Sequence, residues 1–130
     1  RILFLTDSIH QGCPPGKFNK LGPYRCIRKQ NYRLADFANF RPEFKHSEFV
    51  ILSAGVNDLC RYKHTAESLA DVVCKNLEQC FTMYPHTKFI LNSVLLTGIG
   101  WLNYEISRFS QYMHVFCQRY PGNITFFEVL

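Results

Sequence analysis

The chain has 130 residues, of which 47% are hydrophobic and 19% charged, and its formal net charge is +5. This length and composition predict one globular domain over residues 1–130 and exclude a disordered tail. No apolar run approaches the roughly 20 residues of a membrane-spanning helix. No signal peptide precedes the first apolar run, which starts directly after Arg1. The six cysteines have no regular disulfide spacing, so we expect a reduced, intracellular and cytoplasmic setting.

Strands and helices are predicted to alternate along the chain. Five apolar runs have the length of buried parallel strands, and they cover residues 2–6, 24–28, 48–53, 88–94 and 124–130. Apolar residues recur at helical spacing in residues 33–40 and 103–120, and Thr65 can cap a helix that continues to Met83. This alternation predicts a parallel sheet covered on both faces. The pattern alone does not order the strands.

Two of these strands end in polar residues. Residues 2–5 run into Thr6-Asp7-Ser8, and residues 49–52 run into Ser53-Ala54-Gly55-Val56-Asn57-Asp58. Ligands of open parallel α/β sheets bind outside the carboxyl ends of the strands. A serine beside an amide that can hold an oxyanion is an arrangement for acyl transfer. The alternative is that Ser8 caps a turn and Asn57 forms one after Gly55.

These residues resemble two blocks of the SGNH hydrolases, also called GDSL-like esterases. The first block of that family is Gly-Asp-Ser, which Thr6-Asp7-Ser8 is similar to, and the third is Gly-x-Asn-Asp, which residues 55–58 match. The resemblance spans the chain in element order. It implies a three-layer α/β/α sandwich around a flavodoxin-like, five-stranded parallel sheet in the order 2-1-3-4-5. It implies neither a metal nor an organic cofactor.

The resemblance also implies roles for three residues in the chemistry. Ser8 would be the nucleophile and Asn57 a donor to the oxyanion. The family completes its oxyanion hole with a glycine N–H before the first short helix, and Asn31 is the nearest residue here. Asn tolerates the left-handed region better than most residues, so we expect the Asn31 N–H to complete the oxyanion hole.

Five further residues are predicted to support or line the site. Asp7, Gly55 and Asp58 would order the two motif loops. His10 and Trp101 would line the substrate, although Trp101 could equally pack its own loop against the domain.

The resemblance does not extend to a general base. The catalytic histidine of the family lies in an Asp-x-x-His block after the fifth strand, and the 130 residues contain no such block. We interpret the chain as C-terminally truncated, with the Asp and His of its parent beyond Leu130. The five histidines present are predicted to lie on the surface, and only the first and third are expected at the edge that carries Ser8: His10, His46, His64, His86 and His114.

The cysteines do not predict a metal site. None of the six forms a Cys-x-x-Cys pair, and no Cys or His spacing recurs as zinc ligands would require. We expect four of them to be small buried hydrophobic side chains: Cys26, Cys74, Cys80 and Cys117.

The sequence therefore predicts a serine esterase that cleaves small acyl esters, acetyl esters among them, through an acyl-enzyme. Two alternatives stay open. One is a non-catalytic SGNH-fold module that binds an acylated or carbohydrate ligand, which the absence of the family glycine favours. The other is an esterase-like domain of a LINE-type retrotransposon protein, in which flanking regions would bind nucleic acid. Basic residues between Lys17 and Lys45 could serve such contacts or simply form a solvated face.

Overall fold

The structure is a computed structural model, and it describes residues 2–6, 24–28 (backbone only), 33–62, 64–94 and 96–128. The strands are β1 (Ile2–Thr6), β2 (Tyr24–Arg28), β3 (Phe49–Ser53), β4 (Lys88–Asn92) and β5 (Ile124–Phe127). The helices are a 3-10 helix (Leu34–Phe40), α1 (Arg41–Phe44), α2 (Val56–Cys60), α3 (Ala66–Met83) and α4 (Gly100–Arg119).

The strands form one parallel sheet in the order β2-β1-β3-β4-β5. The predicted α/β class and parallel sheet are confirmed, and this order is the flavodoxin-like one that the resemblance implies. β1 and β3 are neighbours in register, with Thr6 opposite Ser53. The segments that follow these two strands therefore leave the same edge of the sheet side by side.

One row of side chains across the sheet is sealed in the core. The four members of this row pair in register across the strands, and each is at most 3% exposed: Leu3, Val50, Phe89 and Ile124. Phe89 packs edge-on against Phe44 of α1 at 5.6 Å and lies 5.9 Å from Phe81 of α3, measured between ring centroids. Burial of each such side chain stabilises the fold by about 1.5–3 kcal/mol. This row therefore fixes α1 and α3 on one face of the sheet.

The adjacent row points to the other face and is less covered. Its members are half-buried or exposed: Phe4, Ile51, Ile90 and Thr125. On the helical side, α3 contacts the 3-10 helix, α2 and α4. The described helices thus form one continuous layer, and the second helical layer of the predicted sandwich is not among the residues that the structure describes.

The predicted cap of α3 is confirmed. The Thr65 hydroxyl accepts a hydrogen bond from the Ser68 N–H at 3.1 Å, and the Ser68 hydroxyl accepts one from the Thr65 N–H at 3.0 Å. Glu105 of α4 also accepts a hydrogen bond from the Ala66 N–H at 2.7 Å. The backbone N–H groups at the amino terminus of α3 are therefore hydrogen-bonded both within the helix start and by the neighbouring helix α4.

Helix α4 begins at Gly100, three residues before the predicted start at Asn103. The reason is that Asn103 binds the preceding loop and does not cap the helix. Its side-chain oxygen accepts a hydrogen bond from the Thr97 N–H at 2.7 Å, and its side-chain NH2 donates to the Thr97 carbonyl at 2.8 Å. Asn103 thereby holds the loop between β4 and α4.

Three of the four cysteines predicted as hydrophobic side chains lie in the described region. Cys80 and Cys117 are buried and Cys74 is half-buried. Burial raises the pKa of the Cys74 thiol to about 12 and that of Cys117 to about 11. At neutral pH these thiols are protonated and unreactive, which agrees with the prediction. The side chain of Cys26 lies outside the described residues.

Candidate functional site

Four of the predicted site residues lie outside the described residues: Asp7, Ser8, His10 and Asn31. Their roles stay predictions. The structure does place the strand that leads to Ser8, because Thr6 is the register partner of Ser53. Neighbouring strands lie about 4.8 Å apart. The two motif segments therefore start next to each other at the carboxyl edge of the sheet.

Gly55 occupies a position that only glycine fits. Its φ is +136°, and a Cβ atom there would lie 2.7 Å from Cγ2 of Val94. Val94 follows β4, so the close approach of Gly55 to the Val94 side chain packs the segment after β3 against the segment after β4. Gly55 is needed for the backbone conformation and for the close approach of the two segments.

Asn57 lies on α2, a helix that the sequence analysis did not predict. The sequence predicts Asn57 as an oxyanion donor, with a turn as the alternative, and five residues are too few for helical periodicity to appear. The Asn57 carbonyl accepts hydrogen bonds from the N–H groups of Arg61 and Tyr62 at 2.9 and 3.0 Å. These bonds fix the backbone of half-buried Asn57 at the edge that β1 also reaches.

Asp58 reaches across to a different element. Its carboxylate accepts hydrogen bonds from the N–H of Leu34 at 2.7 Å and from that of Ala35 at 2.9 Å, at the start of the 3-10 helix. Burial raises the pKa of this fully buried carboxyl, and the two backbone hydrogen bonds oppose that effect. Asp58 was predicted to order its own turn, whereas it also caps the helix that begins three residues after Asn31.

His64 is engaged on both ring nitrogens. Nδ1 lies 3.1 Å from the Ser68 hydroxyl, and Nε2 lies 3.4 Å from Nη2 of Arg33. The Arg33 guanidinium is also stacked over the Tyr62 ring at 4.2 Å. His64 therefore lies between Ser68 and Arg33.

The remaining described histidines lie at the opposite edge of the sheet or on α4. His46 and His86 are exposed and precede β3 and β4, which places them at the opposite edge of the sheet, as predicted. His114 is exposed on α4, where its ring lies edge-on to Phe126 at 6.4 Å. The position of the base relative to Ser8 stays a prediction, because Ser8 lies outside the described residues.

A cavity of about 460 Å³ opens at the carboxyl edge of the sheet, between α4 and the ends of β4 and β5. Its surface is about equally polar and apolar, and its lining comprises Ser93, Val94, Leu96, Ile106, Ser107, Ser110, Gln111, His114 and Glu128. Val94, which contacts Gly55, is part of this wall. The sequence analysis missed the cavity, although four of the polar residues recur at helical spacing within α4, which is the signal that could have revealed it.

Trp101 does not hold its loop down. Its side chain is 57% exposed on the first turn of α4, so the alternative that it packs the loop against the domain is wrong. Asn103 and Thr97 provide that contact. Trp101 is also not among the residues lining the cavity, and a role in lining the substrate stays a prediction.

Two features are absent from the described residues. No helix in these segments is long and apolar enough to cross a membrane. In the same segments, no cluster of three or more His, Cys, Asp or Glu side chains could hold a metal ion.

Comparison with solved structures finds enzymes with a similar fold. A mutant of an acetyl esterase, solved with an acetate ion, is 12% identical with a TM-score of 0.75, covering 98% of this chain and 78% of that one. A carbohydrate esterase family 3 protein from Talaromyces cellulolyticus is 13% identical with a TM-score of 0.75 over the same shares. AlinE4, an SGNH-hydrolase family esterase, is 15% identical with a TM-score of 0.65, over 96% of this chain and 75% of that one.

These proteins are longer than the present chain. It spans 65% of the length of a similar protein from Streptococcus pneumoniae, which is 17% identical with a TM-score of 0.74. A scan against protein-family models finds no match, and a search of curated proteins finds none either. At these identities the likeness shows a shared fold.

Proposed function

We propose that this chain, whose fold is that of the SGNH hydrolases, is a serine esterase domain that cleaves small acyl esters. The observation that carries the proposal is the register of β1 with β3, in which Thr6 pairs with Ser53. It starts the Ser8 segment beside the Gly55–Asp58 segment at the ligand-binding edge of the sheet.

In the proposed reaction, the Ser8 oxygen attacks the ester carbonyl carbon, and the carbonyl oxygen becomes negatively charged. The Asn57 side-chain NH2 and the N–H groups of Ser8 and Asn31 donate hydrogen bonds to that oxyanion. The alcohol then leaves with a proton, and an acyl group remains on Ser8. Water attacks the acyl-enzyme, so that the carboxylic acid is released and the serine hydroxyl is restored.

A base must accept the Ser8 proton and return it to the leaving alcohol. We assign this role to a histidine of an Asp-x-x-His block beyond Leu130, oriented by its Asp, as the family resemblance implies. The acetyl esterase with a similar fold supports a small acyl group such as acetyl.

The test compares the 130-residue chain with the same chain extended along its gene, using p-nitrophenyl acetate as substrate. The extended protein should turn over the ester and the shorter one should be nearly inactive, because unassisted Ser8 stays protonated. Equal activity in both would place the base within residues 1–130. Inactivity of both would refute the esterase proposal.

A non-catalytic binding module is the second candidate. It is favoured by one observation, that Asn31 stands where the family has the glycine of its oxyanion hole. A module of this kind would bind an acylated or carbohydrate ligand without turnover, so activity of the extended protein separates the two. Sequencing the parent gene on both sides would test the retrotransposon setting, in which flanking segments would contact nucleic acid.

A further inference from the structure

The cavity beside α4 presents polar groups that the proposed ester cleavage does not use. Four of its lining residues, Ser107, Ser110, Gln111 and His114, follow one another at the three-four spacing of a single helix face. The side chains of Ser107, Ser110 and Gln111 make no hydrogen bond in the part of the chain that the structure describes. These three side chains are free to bind a polar ligand.

The chemistry of the lining is mixed and selects a class of ligand. Hydroxyl and amide groups both donate and accept hydrogen bonds. The Glu128 carboxylate also lines the cavity, so an anion such as phosphate or a free carboxylate would be repelled. Val94, Leu96 and Ile106 supply an apolar wall. A neutral ligand with several hydroxyl groups and an apolar C–H face matches both parts of the lining.

We propose that this cavity binds the alcohol part of the ester, and that this alcohol is a sugar or another polyol. The assignment to an ester substrate rests on the esterase function proposed above. The cavity of about 460 Å³ falls in the roughly 300–1,000 Å³ range of small-molecule sites. Its wall residue Val94 packs against Gly55, two residues before Asn57. The polyol would therefore lie next to the reacting carbonyl.

A long acyl chain is the competing occupant, and the lining disfavours it. An alkyl chain in the cavity would remove the hydroxyl and amide groups of α4 from water without replacing their hydrogen bonds. Each unpaired polar group of this kind weakens binding. The polyol makes those bonds, and a site built to bond hydroxyl groups rejects analogues that lack them.

The test measures binding alone, with the full chain and methyl β-D-glucoside as the probe. Amide chemical shifts in a nitrogen-15 NMR titration should change for residues around the cavity, on α4 from Ile106 to His114 and after β4. Gln111→Ala and Ser110→Ala should each weaken binding about fivefold, the effect of one hydrogen bond. Gln79→Ala is the matched control, because Gln79 lies on α3 away from the cavity, and it should leave binding unchanged.

Three outcomes would overturn the proposal. One is the absence of shift changes at the cavity with the glucoside. Another is an affinity that Gln111→Ala and Ser110→Ala leave unchanged. The third is hexanol shifting the same amides at lower concentrations than the glucoside, which would make the cavity an acyl site. Because binding is measured without turnover, a protein that binds the glucoside but hydrolyses no ester retains the sugar site and loses only the proposed esterase function.

Discussion

The Asp58 carboxylate accepts a hydrogen bond from the Leu34 backbone N–H at 2.7 Å, across 24 positions of the sequence. This bond joins the segment after β3 to the start of the 3-10 helix. Asn57 precedes Asp58 directly, and Asn31 lies three residues before Leu34. The buried Asp58 carboxylate therefore joins the helix that carries Asn57 to the 3-10 helix that follows Asn31 in the sequence.

Asp58→Asn should destabilise the fold by about 1–3 kcal/mol. The amide oxygen can still accept one backbone hydrogen bond, but its NH2 group would face the other N–H and leave a buried donor unpaired. Urea denaturation at neutral pH measures the loss. Asp71→Asn is a suitable control, because Asp71 is exposed on α3 and pairs only with Lys75 at its surface. An unchanged stability of the Asp58 variant would mean that the bonds to Leu34 and Ala35 contribute nothing.

The stability loss caused by Asp58→Asn should depend on pH. Burial raises the pKa of Asp58 above its ordinary value of 3.8, so the folded state binds this proton more tightly than the unfolded state. The contribution of Asp58 is then fully present below the unfolded pKa, and it falls as the pH rises through the folded pKa. The stability difference between wild type and Asp58→Asn should therefore shrink from pH 4 to pH 7. A difference that grows over this range would indicate a lowered pKa.

Gly55→Ala should lower the free energy of unfolding by about 2–4 kcal/mol. The substitution strains the backbone at φ +136° and brings the new Cβ within 2.7 Å of Val94. Gly122→Ala is the control, since a Cβ there meets nothing within 4 Å. Equal stability of the two variants, measured by thermal unfolding, would show that the segments after β3 and β4 separate at little cost.

His64→Ala should leave the esterase activity of the extended protein within about twofold of wild type, because both ring nitrogens already have partners. His86→Ala, at the opposite edge of the sheet, is the control. A loss of activity approaching that of Ser8→Ala, confined to the His64 variant, would identify His64 as the base.

The sequence predicts the strands and the longer helices, but it does not predict the short helix α2. Helix α3 has a strong apolar stripe and a capping box at Thr65, and both were visible in the residues. Helix α2 was missed because five residues cannot show a helical period. The bond between Asp58 and Leu34 was also beyond sequence reasoning, because it depends on how the sheet brings distant segments together.

Asn57→Ala tests the oxyanion assignment in the extended protein. Its kcat should fall about 10²–10³-fold with little change in KM, because the amide bonds an oxygen that is charged only in the transition state. Circular dichroism should show a folded protein. Full activity would make Asn57 a structural residue of α2.

Asn31→Gly is a separate test of the second oxyanion donor. Glycine adopts the family conformation without strain, so the variant should keep or raise the activity of the extended protein toward p-nitrophenyl acetate. A marked loss of activity would mean that the Asn31 side chain is required and that the assignment of its N–H is wrong.

The most direct test of the account is covalent labelling of Ser8 by a fluorophosphonate, which reacts with serines that a base and an oxyanion hole activate. The extended wild-type protein should gain one phosphonyl group in an intact-mass spectrum, on the peptide that contains Ser8. Ser8→Ala should gain none while giving the same circular dichroism spectrum. A folded, extended wild-type protein that remains unlabelled, or a label on any other residue, would contradict the assignment of Ser8 as the nucleophile of an SGNH-type esterase.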